Sequence, residues 1–423
     1  MKKRVIFWVH GGISGKKVVG FEYRGEELTQ IILPKAIEEY LSKRGEQVDL
    51  ITFVPHSIYT KDAQKELEEM EKEMKNVERI SLPSIGKFAV VKNIAYIFNG
   101  SYGYVRFWVF INLLKRYLKN EYSIFYFDIS QGLNIYMDAF KEAFRSLVVF
   151  DKLREFPEGK IKVYILYSDP ILGGVENARI YDDIELKVKA FFDSPINRPD
   201  REFANRHSLD ADIKRVLTNF YRTFRAIKYN APGLVLTFGY DKADRIAGIT
   251  EKLLEKYINQ HNPGEFWEAK RVYEYNLPEK PEEKTSIFLA LALYENMTKV
   301  LEGEGIPPES KREFTTQDLL KFLNVYKRYE LRVNADMLEK DIKRYEEVRA
   351  PEHWTLAGYV VNRNNFKPKQ LEDLRRDPNA KRNFFAHSGL ENNMVMVRRA
   401  DDGQIVFKYT EESHSLIESF LYD

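Results

Sequence analysis

The sequence predicts an α/β fold followed by an all-α region. Three observations carry this prediction. Short apolar runs alternate with segments of helical period through the first part of the chain. A polar stretch with two prolines, residues 194–200, interrupts the pattern, and almost only helical periodicity follows it. Strands that alternate with helices favour right-handed crossovers and a mostly parallel sheet with both faces covered.

The N-terminal region, residues 1–195, has the element order of a Rossmann-like domain. Apolar runs of strand length are followed by helical periods, as in buried parallel strands. The predicted strands are residues 5–9, 48–54, 88–98, 123–129 and 161–167. The predicted helices are residues 28–41, 62–77, 104–118 and 133–149. Strict alternation over residues 184–188 predicts an antiparallel strand or hairpin at one edge of the sheet.

The remainder of the chain predicts a connecting segment and a helical bundle. Residues 196–275 form the connecting segment and residues 276–423 the bundle, with a boundary at the prolines of 278–281. Helical periods recur with few strand-like runs between them, as in a bundle. The predicted helices are residues 209–227, 246–257, 285–301, 316–329 and 335–348.

Composition restricts the chemistry and the location of the protein. The chain has 423 residues, 31% of them charged, a net charge of +2 and no cysteine. The absence of cysteine excludes disulfides, thiolate metal sites and cysteine nucleophiles. High charge without cysteine is typical of thermophile proteins, so we expect a thermophilic source. The apolar runs are too short for a signal peptide or a membrane span, so we expect a cytoplasmic protein.

The clearest candidate site lies near the end of the chain. Asp377 and Pro378 predict a helix start, with Asp377 as the N-cap, and the helix then carries Arg382, Asn383 and His387. Asn383 and His387 share a face, whereas Arg382 and His387 lie about 140° apart around the helix. An imidazole moves protons near neutral pH, and a guanidinium stabilises a phosphoryl transition state. Together they can cleave RNA without a metal ion.

The surroundings of this helix favour a polyanion. Between residues 363 and 382, seven basic side chains stand against three acidic ones, which gives a local charge of +4. That charge is sufficient to bind a few phosphates. Arg375, Arg376 and Lys381 are the predicted RNA-binding residues.

Two N-terminal loops predict a ligand site at the carboxyl ends of parallel strands. The first loop, after the first strand, contains Gly11, Gly12 and Ser14, and its glycine spacing is not that of a Walker A loop. The second loop follows the strand 123–129, and its polar side chains open a helix, where backbone N–H groups suit a phosphate or a base. The second-loop candidates are Asp128, Ser130, Gln131, Gly132 and Asn134.

Both sites resemble known families. The segment Arg382–His387 is similar to the R-N-x-x-x-H signature of HEPN ribonucleases, and the loop Asp128–Asn134, together with the glycine-rich first loop, resembles the two signatures of CARF domains. A CARF domain followed by an HEPN domain is the arrangement of CRISPR-associated accessory ribonucleases of type III systems. By this resemblance Arg382 and His387 are catalytic and Asn383 supports or orients them.

The resemblance implies a regulated ribonuclease. Cyclic oligoadenylate, with cyclic tetra-adenylate as the expected ring, would bind across a CARF dimer as an allosteric activator. The HEPN domains would dimerise to form one composite site, within a homodimer or a higher even oligomer. That site would cleave single-stranded RNA by 2′-hydroxyl attack, leaving 2′,3′-cyclic phosphate and 5′-hydroxyl ends. No metal or other cofactor is expected.

Two other functions stay open on the sequence alone. One is a metal-dependent nuclease. The alternating strand at residues 182–187 carries a Glu-x-Lys motif, Glu185 and Lys187, after the two acidic residues Asp182 and Asp183. Some metal-dependent nucleases use such a motif to hold a metal ion. A ligand-responsive nucleic-acid-binding regulator with an inactive HEPN domain is the second alternative. Among the remaining residues, His10 is a candidate contact for a first-loop ligand. Tyr102 and Tyr104 are either aromatic residues of the core or rings that stack on an adenine.

Overall fold

The computed structural model describes residues 3–12, 18–58, 66, 68–90, 94–119, 122–130, 132–170, 177–264, 272–362 and 365–422. The chain divides into two units. One consists of residues 1–191 and 250–289, and the other of residues 192–249 and 290–423. The predicted domain boundaries at residues 195 and 275 stay a prediction.

The described residues contain strands and helices that we number in chain order. The strands are β1 (Arg4–Val9), β2 (Val19–Tyr23), β3 (Glu26–Gln30), β4 (Val48–Pro55), β5 (Glu78–Leu82), β6 (Ile85–Val90), β7 (Ile94–Asn99), β8 (Ile124–Asp128), β9 (Lys162–Ser168), β10 (Asn177–Glu185), β11 (Val272–Tyr273), β12 (Phe314–Thr315), β13 (Thr355–Leu356), β14 (Val395–Arg399) and β15 (Ile405–Tyr409). The helices are α1 (Leu33–Ser42), α2 (Tyr102–Leu118), α3 (Asn134–Arg154), α4 (Arg201–Arg206), α5 (Ala211–Lys228), α6 (Pro232–Phe238), α7 (Ala243–His261), α8 (Pro281–Gly303), α9 (Thr316–Leu320), α10 (Phe322–Arg328), α11 (Arg332–Glu347), α12 (Ala357–Val361), α13 (Leu371–Arg376), α14 (Ala380–Ala386) and α15 (His414–Tyr422). Residues 68–73 are also helical.

An eight-stranded sheet organises the first unit. Its strand order is β3-β2-β10-β9-β8-β1-β4-β5. The central strands β9, β8, β1, β4 and β5 are all parallel to their neighbours in this group. The predicted mostly parallel sheet is therefore confirmed. The predicted strand 88–98 was wrong, because its described residues belong to β6 and β7, which pair antiparallel in a separate sheet of order β11-β7-β6. The chain order reverses at β1, which has β4 on one side and β8 on the other, and this is the place where open α/β sheets bind ligands.

Apolar side chains cover both faces of the central strands. On one face, Trp8 belongs to a cluster with the buried residues of α1. On the other face, Phe7 contacts Phe144 of α3, and Phe53 of β4 meets Phe140 edge to face with ring centroids 4.9 Å apart. Burial on both faces explains why β1 is an uninterrupted apolar run.

The edge of this sheet differs from the prediction. Strand β10 is antiparallel to β9, but it ends at Glu185, so the predicted strand 184–188 overlaps it at two residues only. It is also not an edge strand, because the hairpin of β2 and β3 lies beyond it. The predicted helix 28–41 was wrong at its start: β3 extends to Gln30, and α1 begins only at Leu33. Leu28 is buried as a strand residue, so its apolar side chain fits the two-residue period of a strand as well as the period of a helix.

The second unit is mainly helical, as predicted, but it also contains an antiparallel sheet. The order of its strands is β12-β15-β14-β13. Strands β14 and β15 form a hairpin in which Val397 pairs with Phe407, and both of these side chains are buried. The sequence analysis did not identify these strands, and the two outer ones are only two residues long.

No helix among the described residues combines the length and the apolar character that a membrane crossing requires.

A buried histidine connects distant segments of the first unit. His56, directly after β4, is 2% exposed. Its Nε2 lies 3.2 Å from the carbonyl oxygen of Gly264, and its Nδ1 lies 3.0 Å from the hydroxyl of Tyr275. That hydroxyl oxygen also accepts the N–H of Ser84 at 3.1 Å. A neutral imidazole satisfies this arrangement, with Nε2 donating and Nδ1 accepting. Burial lowers the pKa of His56 to about 4.

We predict that His56 makes the protein less stable as the pH falls. The unfolded chain binds a proton at His56 near its ordinary pKa of 6.5, whereas the folded chain binds it only near 4. Stability is therefore lost between these two values, by about 3 kcal/mol at most. Urea unfolding at a series of pH values should show this loss, and His56→Gln should remove it. Equal pH dependence in both proteins would contradict the prediction.

Candidate functional site

The C-terminal motif lies on the short helix α14. This helix begins at Ala380 with Asn379 as its N-cap, so the prediction that Asp377 caps it was wrong. Asp377 and Pro378 instead form a turn before the helix, in which the N–H of Ala380 donates to the Asp377 carbonyl at 3.0 Å. The Asp377 carboxylate accepts the N–H of Asn379 at 2.9 Å, so it stabilises the turn that leads into the helix.

Packing of α14 determines which of its residues face solvent. Ala380 and Phe384 are buried, and the ring of Phe384 contacts that of Phe420 at 5.8 Å. Arg382, Asn383 and His387 are exposed. The structure therefore places the three predicted catalytic residues on the accessible side of the helix.

The two polar side chains before the histidine are available for a ligand. Among the described residues, neither the Arg382 guanidinium nor the Asn383 amide makes an ion pair or a side-chain hydrogen bond. His387 caps the C-terminal end of α14, where its N–H donates to the Asn383 carbonyl at 3.1 Å. A guanidinium without a protein partner can stabilise the charge of a phosphate, and an imidazole can exchange protons with the attacking and leaving oxygens.

A carboxylate that the sequence analysis missed stands beside His387. Asp341 of α11 is buried, and its Oδ1 lies 3.8 Å from Nδ1 of His387, whose side chain is 46% exposed. Nothing in the sequence marks Asp341, because α11 also carries other acidic residues and is distant from α14 along the chain. Only the packing of α11 against the end of α14 identifies it.

The predicted RNA-binding residues differ in their surroundings. Arg376 is exposed and makes no ion pair with any described residue. Arg375 donates to the Ser415 hydroxyl at 3.1 Å, and Lys381 is half-buried. Arg363, part of the same basic stretch, lies outside the described residues.

One basic residue of the stretch is neutralised locally. The Lys369 ammonium donates to the Asp377 carboxylate at 2.7 Å. That hydrogen bond, together with the Asn379 N–H, lowers the pKa of Asp377, and it raises the pKa of Lys369. Lys369 is exposed and Asp377 is partly buried. Among the described residues of the stretch, Lys367, Arg376, Lys381 and Arg382 make no ion pair or side-chain hydrogen bond and can meet a phosphate.

In the first unit, the two predicted loops follow neighbouring strands. β1 and β8 are parallel, with Trp8 opposite Asp128, so both loops leave the same edge of the sheet. Gly11 is exposed and Gly12 half-buried, and Ser130, Gly132 and Asn134 are exposed. Ser14 and Gln131 lie outside the described residues.

Asp128 shapes the second loop from inside the fold. It is fully buried, and its Oδ1 accepts both the N–H of Ser130 at 2.9 Å and the Ser130 hydroxyl at 2.6 Å. Asp128 therefore fixes the chain where the strand ends, while Ser130 and Asn134 lie at the surface.

The second loop packs closely on the end of β1. Gly132 has a φ of +100°, and a Cβ at this position would lie 2.9 Å from Cε of Met137 and 3.3 Å from Cβ of Val9. A glycine is required by both the backbone conformation and the space. Exposed apolar side chains surround the loop: Ile129, Leu133 and Ile135 are each more than two-fifths exposed.

Three further candidate residues of the first unit form hydrogen bonds with other residues of that unit. Nε2 of His10 lies 2.7 Å from the Glu66 carboxylate, and both side chains are buried. Tyr104 is a core residue that donates to the His261 carbonyl at 2.5 Å. Tyr102 is half-exposed and donates to Asp138 at 2.7 Å.

The acidic residues of β10 do not converge on one point. Asp182 accepts from Tyr23 and Arg24, Asp183 accepts from Tyr167, and Glu185 pairs with Lys187 at 3.4 Å. Within the described part of the chain, no group of three His, Asp or Glu side chains has the arrangement of a metal site.

Comparison with protein families identifies both regions. Residues 5–170 match the CARF domain of the CRISPR system endoribonuclease Csx1, and residues 331–411 match its HEPN domain. The first match contains both N-terminal loops, and the second contains Asp341 and the whole of α14. No curated protein matches the chain.

We predict that Gly132→Ala destabilises the protein by about 1–3 kcal/mol, because the added methyl group meets Met137 and Val9 at a positive φ. The matched control is Gly248→Ala in α7, where a Cβ has no neighbour within 4 Å. That change should be neutral or stabilising by up to about 1 kcal/mol. Urea unfolding of the three proteins measures both effects, and equal stability of the two variants would contradict the prediction.

Proposed function

The chain belongs to the CRISPR-associated CARF–HEPN ribonucleases, and from this membership we propose that it cleaves single-stranded RNA without a metal ion when cyclic oligoadenylate occupies its CARF domain. The single observation that carries the proposal is the exposed face of α14. There Arg382, Asn383 and His387 are all exposed, and no described residue neutralises the guanidinium.

The proposed reaction uses the RNA's own nucleophile. The ribose 2′-oxygen attacks the adjacent phosphorus as its proton passes to an imidazole, and the bond from phosphorus to the 5′-oxygen breaks. The 5′-oxygen takes a proton from an imidazolium, which leaves a 2′,3′-cyclic phosphate and a 5′-hydroxyl. Arg382 stabilises the charge on the phosphate oxygens, and Asn383 orients the substrate or the imidazole.

Two copies of the site fit this chemistry better than one. The reaction needs one group to accept a proton and one to donate it, while each chain supplies one His387. Two-fold pairing of HEPN domains would bring two imidazoles and two guanidiniums to one phosphate. The protein would then act as a homodimer or a higher even oligomer.

The CARF loops suit a cyclic oligoadenylate. At the carboxyl edge of the sheet, the N-terminus of α3 and the glycine backbone of the first loop offer N–H groups to phosphates. The exposed apolar residues Ile129, Leu133 and Ile135 offer surface to adenine rings or to a second subunit. A two-fold ligand, with cyclic tetra-adenylate as the expected ring, would contact two such edges alike. Stronger binding to one arrangement of the dimer would shift it toward the active form.

We predict that His387→Ala and Arg382→Ala each lower the rate of RNA cleavage by about 10²–10⁴-fold, the usual contribution of one positioned acid–base or charge-stabilising group. The assay follows a labelled single-stranded RNA in EDTA, with and without cyclic tetra-adenylate. The wild type should cleave in EDTA, and faster with the activator. His353→Ala, which alters an exposed histidine outside the site, is the control.

Each contrary result in this assay has a distinct meaning. Cleavage that survives His387→Ala would refute the assignment of the site. Cleavage that EDTA abolishes would refute metal independence. A rate that the cyclic oligoadenylate does not change would refute the proposed activation.

We predict that Arg376→Ala weakens RNA binding and reduces its dependence on salt. An exposed cation that contacts one phosphate contributes about one unit to the slope of log K against log salt concentration. Anisotropy with an RNA whose 2′-hydroxyls are methylated measures binding without cleavage. Arg332→Ala, an exposed arginine at the start of α11, is the control. Identical slopes for Arg376→Ala and wild type would contradict the prediction.

A further inference from the structure

Behind His387 lies a chain of buried polar groups. The Asn230 amide donates to the Ser388 hydroxyl oxygen at 3.1 Å, and that hydroxyl donates to Oδ2 of Asp341 at 2.7 Å. Oδ1 of the same carboxylate lies 3.8 Å from Nδ1 of His387. Asn230, Ser388 and Asp341 are all buried, whereas His387 is half-exposed.

The direction of each hydrogen bond in this chain is determined. An amide nitrogen can only donate, so the Ser388 oxygen accepts from Asn230 and its own proton points to Asp341. The carboxylate is therefore held through Oδ2, and Oδ1 is left toward the imidazole. A buried carboxylate is costly unless it is hydrogen-bonded or paired, and here one oxygen is hydrogen-bonded while the other faces the imidazole.

The backbone provides a second, independent observation. Both Ser388 and Asn230 have left-handed backbone conformations, with φ of +53° and +62°. Asparagine tolerates this region, but serine pays about 1–3 kcal/mol for it. Helix ends usually place glycine at such a position, and Gly389 follows directly with φ +76°. The cost at Ser388 is explained if its hydroxyl is needed between Asn230 and Asp341.

We propose that Asp341, held by Ser388 and Asn230, is the positioning residue of the ribonuclease site. It orients the His387 ring through Nδ1 and leaves Nε2 to exchange protons with the RNA. The inference rests on the proposed function of His387. The distance of 3.8 Å is that of an ion pair rather than a hydrogen bond, and acid–base sites commonly tighten when substrate binds.

Other charged and titratable groups near this network have their own partners. Tyr345 of α11 donates to the Leu390 carbonyl at 3.3 Å, and burial raises its pKa. Glu391 accepts the N–H of Asn393 at 2.6 Å and its amide at 2.9 Å. Within the described part of the chain, Asp341 is the carboxylate that forms the ion pair with His387.

The test is Asp341→Asn, which keeps the shape of the side chain and removes its charge. We expect kcat for RNA cleavage to fall by about 10–100-fold, since a misplaced catalytic group costs about this much. The KM for RNA should stay within about twofold, because Asp341 is buried and away from the phosphate. Asp336→Asn removes the same charge from an exposed site on α11 and should cleave like wild type.

A double-mutant cycle separates positioning from a merely structural role. If Asp341 acts through the imidazole, adding Asp341→Asn to His387→Ala lowers the residual rate no further. The ¹⁵N chemical shifts of the His387 ring give a spectroscopic readout. They should report a proton on Nδ1 in the wild type and a mixture of tautomers in Asp341→Asn. Ser388→Gly, which relieves the backbone and removes the hydroxyl, should lower kcat in the same way.

Two results would overturn the inference. One is a wild-type kcat in Asp341→Asn. The other is an equal loss from Asp341→Asn with and without His387, which would mark a general structural effect. Failure of the proposed function is distinguishable from both, because His387→Ala would then cleave like wild type.

Discussion

The first unit depends on one constraint, the burial of β1 on both faces. Residues Val5–Val9 are fully buried, so helices must cover the sheet above and below, and the neighbours β4 and β8 are both parallel to β1. The order in which successive strands are added to the sheet therefore reverses at β1, with β4 and β5 on one side and β8 and β9 on the other. The glycine loop after β1 and the Asp128 loop after β8 consequently open at the same edge, where Gly132 lets the Asp128 loop pack on Val9 at the end of β1.

Much of this fold could be predicted from the sequence, because continuous apolar runs and helical periods are local signals. The predicted element bounds were wrong where a residue such as Leu28 fits both a strand period and a helical period. Strands were missed where they are very short. Strands β12 and β13 have two residues each, too few for any periodicity. The hairpin of β14 and β15 escaped prediction inside a region that is otherwise helical. Its Val397–Phe407 pairing is a tertiary contact, not a local pattern.

The candidate ribonuclease site shows the same limit. Arg382 and Asn383 lie in one short helix and His387 is its C-cap. Their spacing predicts Asn383 and His387 on one face, with Arg382 about 140° from His387. Asp341 and Asn230 lie 47 and 158 residues from Ser388 along the chain, and no spacing connects them. The sequence also contains 64 acidic residues, so the type of residue did not single out Asp341. The left-handed backbone conformation of Ser388 is apparent only from its φ angle in the structure.

The distribution of charge around α14 indicates how an RNA phosphate would approach. The carboxylate that faces His387 is buried behind the ring, and Asp377 is neutralised by Lys369 on the outside. Arg376 and Arg382 remain exposed and unpaired among the described residues. A carboxylate on the same face would compete with the phosphate for the guanidinium, whereas one behind the imidazole supports its role in moving protons. In the proposed mechanism, the buried side of the network acts on the imidazole, and the exposed side is left for the substrate.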